Sequence, residues 1–89
     1  MLAVDIRRAT FGAIDAWTAP DASCLAKVVL PSGGYLLAGE FVVAKVADDA
    51  GAVSWTYPPL AREHGPSTAV VLCTLGEQTA QAQARFEIP

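Results

Sequence analysis

Apolar and polar positions alternate with a period of two along most of this chain, and the last run is the clearest. From Thr79 to Ile88, Ala80, Ala82, Ala84, Phe86 and Ile88 alternate with Thr79, Gln81, Gln83, Arg85 and Glu87. Successive side chains of a strand point to opposite faces, so the pattern predicts a half-buried strand with one solvated face. Alanine favours helices, but at helical spacing the same apolar set surrounds the cylinder instead of forming a stripe. Upstream, Ala69, Val71 and Cys73 share one face of the run 67–74, and Leu75-Gly76-Glu77-Gln78 supplies the turn of a hairpin. Val53-Ser54-Trp55-Thr56-Tyr57 alternates in the same way and stops at Pro58-Pro59, which cannot continue a ladder. Asp48-Asp49-Ala50-Gly51 predicts the turn before it, with glycine free to take positive φ. Further strands are expected over 40–46, over 23–30 ending at Pro31-Ser32-Gly33-Gly34, over 13–18 ending at Pro20-Asp21, and near 3–10. Turn residues recur about every 8–12 positions, the spacing of an all-β sandwich or barrel. The expectation is seven strands and no helix.

The 89 residues suffice for one domain, spanning 1–89. A core of this size buries only about 60–65% of the unfolded surface, which leaves little margin of stability. Hydrophobic residues make up 53% and charged residues 17%, the latter against roughly 25% in an average soluble domain. A net charge of −3, with only Lys27 and Lys45 as lysines and Arg7-Arg8 as the one basic doublet, argues against nucleic acid, whose phosphates need clustered cations. Apolar stretches are broken by Lys27, Pro31, Glu40 and Lys45 well short of the roughly 18 residues of a membrane span, so no membrane insertion is expected. The start, Met1-Leu2-Ala3-Val4-Asp5, lacks the basic flank and apolar stretch of a signal peptide. Cys24 and Cys73 are an even pair in a short loop-rich chain, which points to a disulfide and an oxidising location. Two buried thiols are the alternative.

Three segments carry a resemblance: Ala47-Asp48-Asp49-Ala50-Gly51-Ala52-Val53-Ser54-Trp55-Thr56-Tyr57, Thr18-Ala19-Pro20-Asp21-Ala22-Ser23-Cys24, and Val70-Val71-Leu72-Cys73-Thr74-Leu75-Gly76-Glu77-Gln78-Thr79-Ala80. They are similar to the bacterial immunoglobulin-like domains of secreted and cell-surface proteins. The resemblance implies an immunoglobulin-like β-sandwich of about seven antiparallel strands with Cys24 and Cys73 close in space. The chain departs from the antibody pattern, in which the tryptophan follows soon after the first cysteine, because Trp55 lies nearer the second.

Candidates for chemistry are few, and neither an enzyme nor a cofactor is expected. His64 is the only histidine, in the polar loop Arg62-Glu63-His64-Gly65-Pro66, and no Cys-x-x-Cys pair accompanies it. No nucleophile elbow, phosphate-cradling glycine loop or His-Glu-x-x-His is present. Asp48, Asp49 and Glu40 could offer oxygen ligands to calcium, but two adjacent aspartates before Ala-Gly are better explained as turn formers. An isopeptide bond is limited to a Lys–Asp version using Lys27 or Lys45, since asparagine is absent.

Binding is the remaining class. Trp55 and Tyr57 share a face with Val53 and read as core. If Ile14, Ala16 and Thr18 face inward, Trp17 faces outward, where it can anchor a contact or lie under the Tyr35-Leu36-Leu37 connection. Leu25, Val29, Val42 and Ala44 fall opposite an inward set of Cys24, Ala26, Val28, Phe41 and Val43, and two-sided apolar strands imply a covered outer surface. Trp17, Tyr35 and Leu25 are therefore the candidate contact residues. The expected function is a non-catalytic structural or adhesive module acting through protein partners, a neighbouring domain or a sister subunit. Two settings compete: a domain of a secreted stalk protein at the cell surface, and a small complete protein built into a particle such as a phage virion as a decoration or fibre component. A carbohydrate-binding module using Trp17 and Tyr35 is the reading from a different class, and it requires both rings in one plane.

Overall fold

A computed structural model of the chain describes residues 2–59 and 63–89. Among these residues seven strands follow in order: β1 (Asp5–Thr10), β2 (Ala13–Trp17), β3 (Ser23–Val29), β4 (Lys45–Val46), β5 (Ala52–Thr56), β6 (Gly65–Leu75) and β7 (Gln78–Ile88). They form two antiparallel sheets, β1-β2-β5 and β4-β3-β6-β7. The expected all-β architecture is therefore present.

The hairpin at the end of the chain is longer than expected, running in unbroken register from Leu75 opposite Gln78 to Gly65 opposite Ile88. Its two-residue loop places Gly76 first, at φ 61°, while Glu77 keeps a negative φ. That is the glycine-first turn whose twist matches the flanking strands. β1 begins at Asp5 and carries a bulge, since the register jumps from Ile6 opposite Ala16 to Arg8 opposite Asp15 and leaves Arg7 over.

The expected strand over 40–46 is corrected. Only Lys45 and Val46 pair with β3, opposite Cys24 and Ser23, and Gly39–Phe41 makes one turn of 3-10 helix. The cause lies on β3. Tyr35 already bridges Val29 and the Leu36 N–H donates to Val28 O at 3.0 Å, so the far end of that edge is taken. Lys45 and Val46 pair at the near end, and the chain between leaves the edge. Val43, expected to face the core, is exposed, whereas Phe41 stays half-buried with its ring 4.9 Å from that of Tyr57.

The core forms where the inner faces of the two sheets meet. Ile14, Ala16, Val53 and Trp55 come from one sheet, and Cys24, Ala26, Val28, Ala69, Val71 and Cys73 from the other, all buried. Burying Ile14, Val28 or Val71 stabilises the fold by about 1.5–3 kcal/mol each, as an upper figure.

Two polar devices close the margins. The Asp48 carboxylate accepts the Ala50 and Ala52 N–H groups at 2.9 Å each, and Thr18 N–H donates to Gly51 O at 2.7 Å, tying this turn to the β2–β3 connection. Gly51 sits at φ 82°, and a Cβ there would lie 2.0 Å from Thr18 O. On the flank beside β5, Lys45 reaches Ser54 O at 3.1 Å and Glu40 at 3.0 Å. A cation thus covers backbone that no strand pairs.

Candidate functional site

Cys24 and Cys73 are bonded. They stand directly opposite one another on β3 and β6, fully buried, with Cα atoms 4.1 Å apart. This is the closely spaced kind of antiparallel pair, whose side chains lean together. The bridge joins neighbouring strands of one sheet, unlike the inter-sheet bridge of antibody domains.

Trp17 and Tyr35, proposed as a shared aromatic platform, lie on different sheets. Trp17 faces out from β1-β2-β5 between Asp5 and Ala52 of the flanking strands, 45% exposed. Its opening, about 350 Å³, is shallow and includes Ala3, Val4, Asp5 and Thr18. The Tyr35-Leu36-Leu37 connection runs beside β3 of the other sheet, so it does not cover Trp17. Tyr35 is 56% exposed and receives the Lys27 ammonium 5.0 Å above its ring. Lys27 projects from the outer face of β3, as does Leu25, 44% exposed. The structure therefore joins Leu25 and Tyr35 on one surface and leaves Trp17 on the opposite one.

That surface is larger than the sequence suggests. The crossover between β3 and β4 adds Leu37 at 94% exposure and Val42 at 80%, together with Val43 and Val46. Beside it a cleft of about 270 Å³ is lined by Leu25, Lys27, Phe41, Val70, Leu72 and Gln81, with Ala26 at its floor. The signal was present as apolar residues on both parities, Tyr35-Leu36-Leu37 and Phe41-Val42-Val43, but such runs read equally well as a strand buried on both faces. Charge is sparse here. Glu40 is paired with Lys45, and Lys27 has no carboxylate partner among the described residues. Low charge with exposed aliphatic and aromatic side chains is the composition of an interface centre.

The remaining chemistry candidates scatter. His64 is exposed and its Nδ1 meets Pro89 O, while Glu63 accepts the Ser32 N–H and hydroxyl at 2.9 and 2.7 Å. Arg62, in the same loop, lies outside the described residues. Asp48 is engaged in its turn and Glu40 with Lys45, and among the described residues no three metal-ligating side chains gather. Lys27 stacks on Tyr35, and Lys45 meets Glu40 instead of an aspartate. Burial pushes the Tyr57 phenol above the ordinary value of 10.0, against a hydrogen bond with the Gly12 backbone that lowers it, and its hydroxyl donates to Thr10 O at 3.1 Å. No helix among the described residues is long and apolar enough to cross a membrane. Compared with protein-family models, curated proteins and solved structures, the chain matches none.

Proposed function

We propose that this chain is a non-catalytic immunoglobulin-like module that binds protein through the outer face of its four-stranded sheet and the adjoining 35–46 crossover. The order β1-β2-β5 against β4-β3-β6-β7 supports the immunoglobulin-like reading, because β1, β2 and β5 stand as strands A, B and E and β3, β6 and β7 as C, F and G, with the short β4 beside β3 instead of beside β5. The cystine supports an oxidising setting, a cell surface or an extracellular particle. The observation that carries the function is that exposed large apolar side chains concentrate in β3, β4 and the crossover between them, at Leu25, Tyr35, Leu37, Val42, Val43 and Val46. Scattered apolar residues are ordinary on a protein surface, but such a concentration within one stretch of chain is characteristic of contact surfaces.

Site-specific photo-crosslinking in the protein's native setting tests this. A crosslinker at Leu37 gives a discrete protein adduct, one at Thr56 on the other sheet gives none, and Val42→Asp abolishes the Leu37 adduct. Equal labelling from both positions, or no discrete adduct from Leu37, overturns the proposal. Val42→Asp should leave folding stability within about 0.5 kcal/mol, as expected for an exposed position away from the core.

A further inference from the structure

Among the described residues, three of the four sheet margins are guarded against pairing with another chain, and one is open. Natural sheets blunt their edges with short strands, inward charges and bulges. β4 is two residues long, Lys45 lies across the β5 margin, and β1 is bulged at Arg7. β7 has none of these. Its eleven residues pair with β6 throughout, without bulge, proline or lysine, and no strand among the described residues pairs with its other side. β1 of the other sheet runs alongside without joining its ladder.

Alternation along the strands shows which groups that edge presents. Because Val28 O accepts from Leu36, the backbone polar groups of Val28, Ala26 and Cys24 turn toward the β4 side. Carried through the registers of β3 with β6 and β6 with β7, this assigns Ala80, Ala82, Ala84 and Phe86 to bonds with β6. Thr79, Gln81, Gln83, Arg85 and Glu87 then direct N–H and C=O groups to the open side.

We infer that β7 pairs, antiparallel, with β7 of a second copy of this chain about a two-fold axis at Gln83. In this register every open residue from Thr79 to Glu87 exchanges hydrogen bonds with an open residue of the other copy. Gln83 faces Gln83, Gln81 faces Arg85, and Thr79 faces Glu87, so no like charges meet. On the inner side Phe86 faces Ala80 and Ala82 faces Ala84, large against small. Moving the axis to Ala82 sets Glu77 against Glu87, and moving it to Ala84 sets Thr79 against Pro89, which has no N–H to give. Each neighbouring register is poorer for a stated reason. Each backbone bond adds only modestly and association itself is costly, so the dimer is weak, with Kd between about 10 µM and 1 mM. This surface is separate from the 35–46 patch and does not depend on it.

Sedimentation of the purified chain from about 10 µM to 1 mM, the range set by that affinity, tests the inference. Concentration-dependent dimerisation is expected. Gln83→Lys and Gln83→Glu each place like charges across the axis and weaken the dimer by about fivefold, and an equal mixture of the two recovers it. Gln83→Pro weakens it about tenfold or more, because the lost N–H faces the edge and not β6. Thermal melts verify that each variant is folded, and Leu37→Ser leaves dimerisation unchanged. A chain that stays monomeric throughout, a dimer indifferent to residue 83, a mixture that fails to recover, or a dimer lost in Leu37→Ser would each overturn the inference.

Discussion

Single residues set the turns and the titration of this domain. Gly51 has the least freedom to change, since its positive φ disfavours any L side chain and a Cβ would collide with the Thr18 carbonyl. Gly51→Ala should therefore lower stability by about 3 kcal/mol or more in denaturant unfolding, well above the roughly 1 kcal/mol typical of a point change. Tyr57 carries the pH dependence. Its phenol holds its proton to higher pH in the folded chain than the ordinary value of 10.0. Stability from this group is fully present below that value, falls as pH rises above it, and levels off beyond the higher folded value. Melting followed between about pH 9 and 12 should show that decline, and Tyr57→Phe should flatten it. The turn at Asp48–Gly51 was readable from residue types alone. That Gly51 must pack against Thr18 was not, because the contact joins segments about thirty residues apart.

Among the elements, strands with unlike faces were the legible ones. β5, β6 and β7 appear within a residue or two of the expected limits, because one parity is apolar and period-two burial leaves a single solution. The crossover failed for the opposite reason. Residues 41–43 are apolar at every position and carry no facial preference, so the outcome depended on how much of the β3 edge Tyr35 and Leu36 had already filled. Parity places Trp17, Leu25 and Val42 outward, and all three are exposed in the structure, whereas Leu37 carries no such label. The cystine gives the element-scale prediction. It closes a span of 49 residues, for which loop entropy gives roughly 4 kcal/mol as an upper figure. The pair Cys24→Ala with Cys73→Ala should stay folded, since the β3–β6 ladder remains, but unfold at lower denaturant by up to that amount. Because both sulfurs are buried, the native bond should resist reductant until denaturant opens the sheet, as thiol trapping and mass analysis would show.

At the scale of the whole molecule, folding and contact are assigned to different places. Ion pairs contribute little to stability: Arg7–Asp5, Arg8–Asp15 and Lys45–Glu40 are all partly or largely exposed, and such pairs are worth at most about 1 kcal/mol in water. The fold therefore rests on the apolar layer between the sheets, and the outer faces are free to differ. One carries Trp17 among charged neighbours; the other carries Leu25 and Tyr35 with Lys27 between them. The body is elongated, 36 × 19 × 19 Å, with Leu2 beside Gln78 at one end of β7 and Pro89 beyond the other. A tensile load applied between Leu2 and Pro89 thus runs along the strands and meets the Cys24–Cys73 bond. That bond removes 49 of the 89 residues from the extensible length. The stretched chain can reach only roughly 140 Å, against roughly 310 Å when reduced. Placed in a strained assembly, the oxidised domain behaves as a tether with a built-in stop.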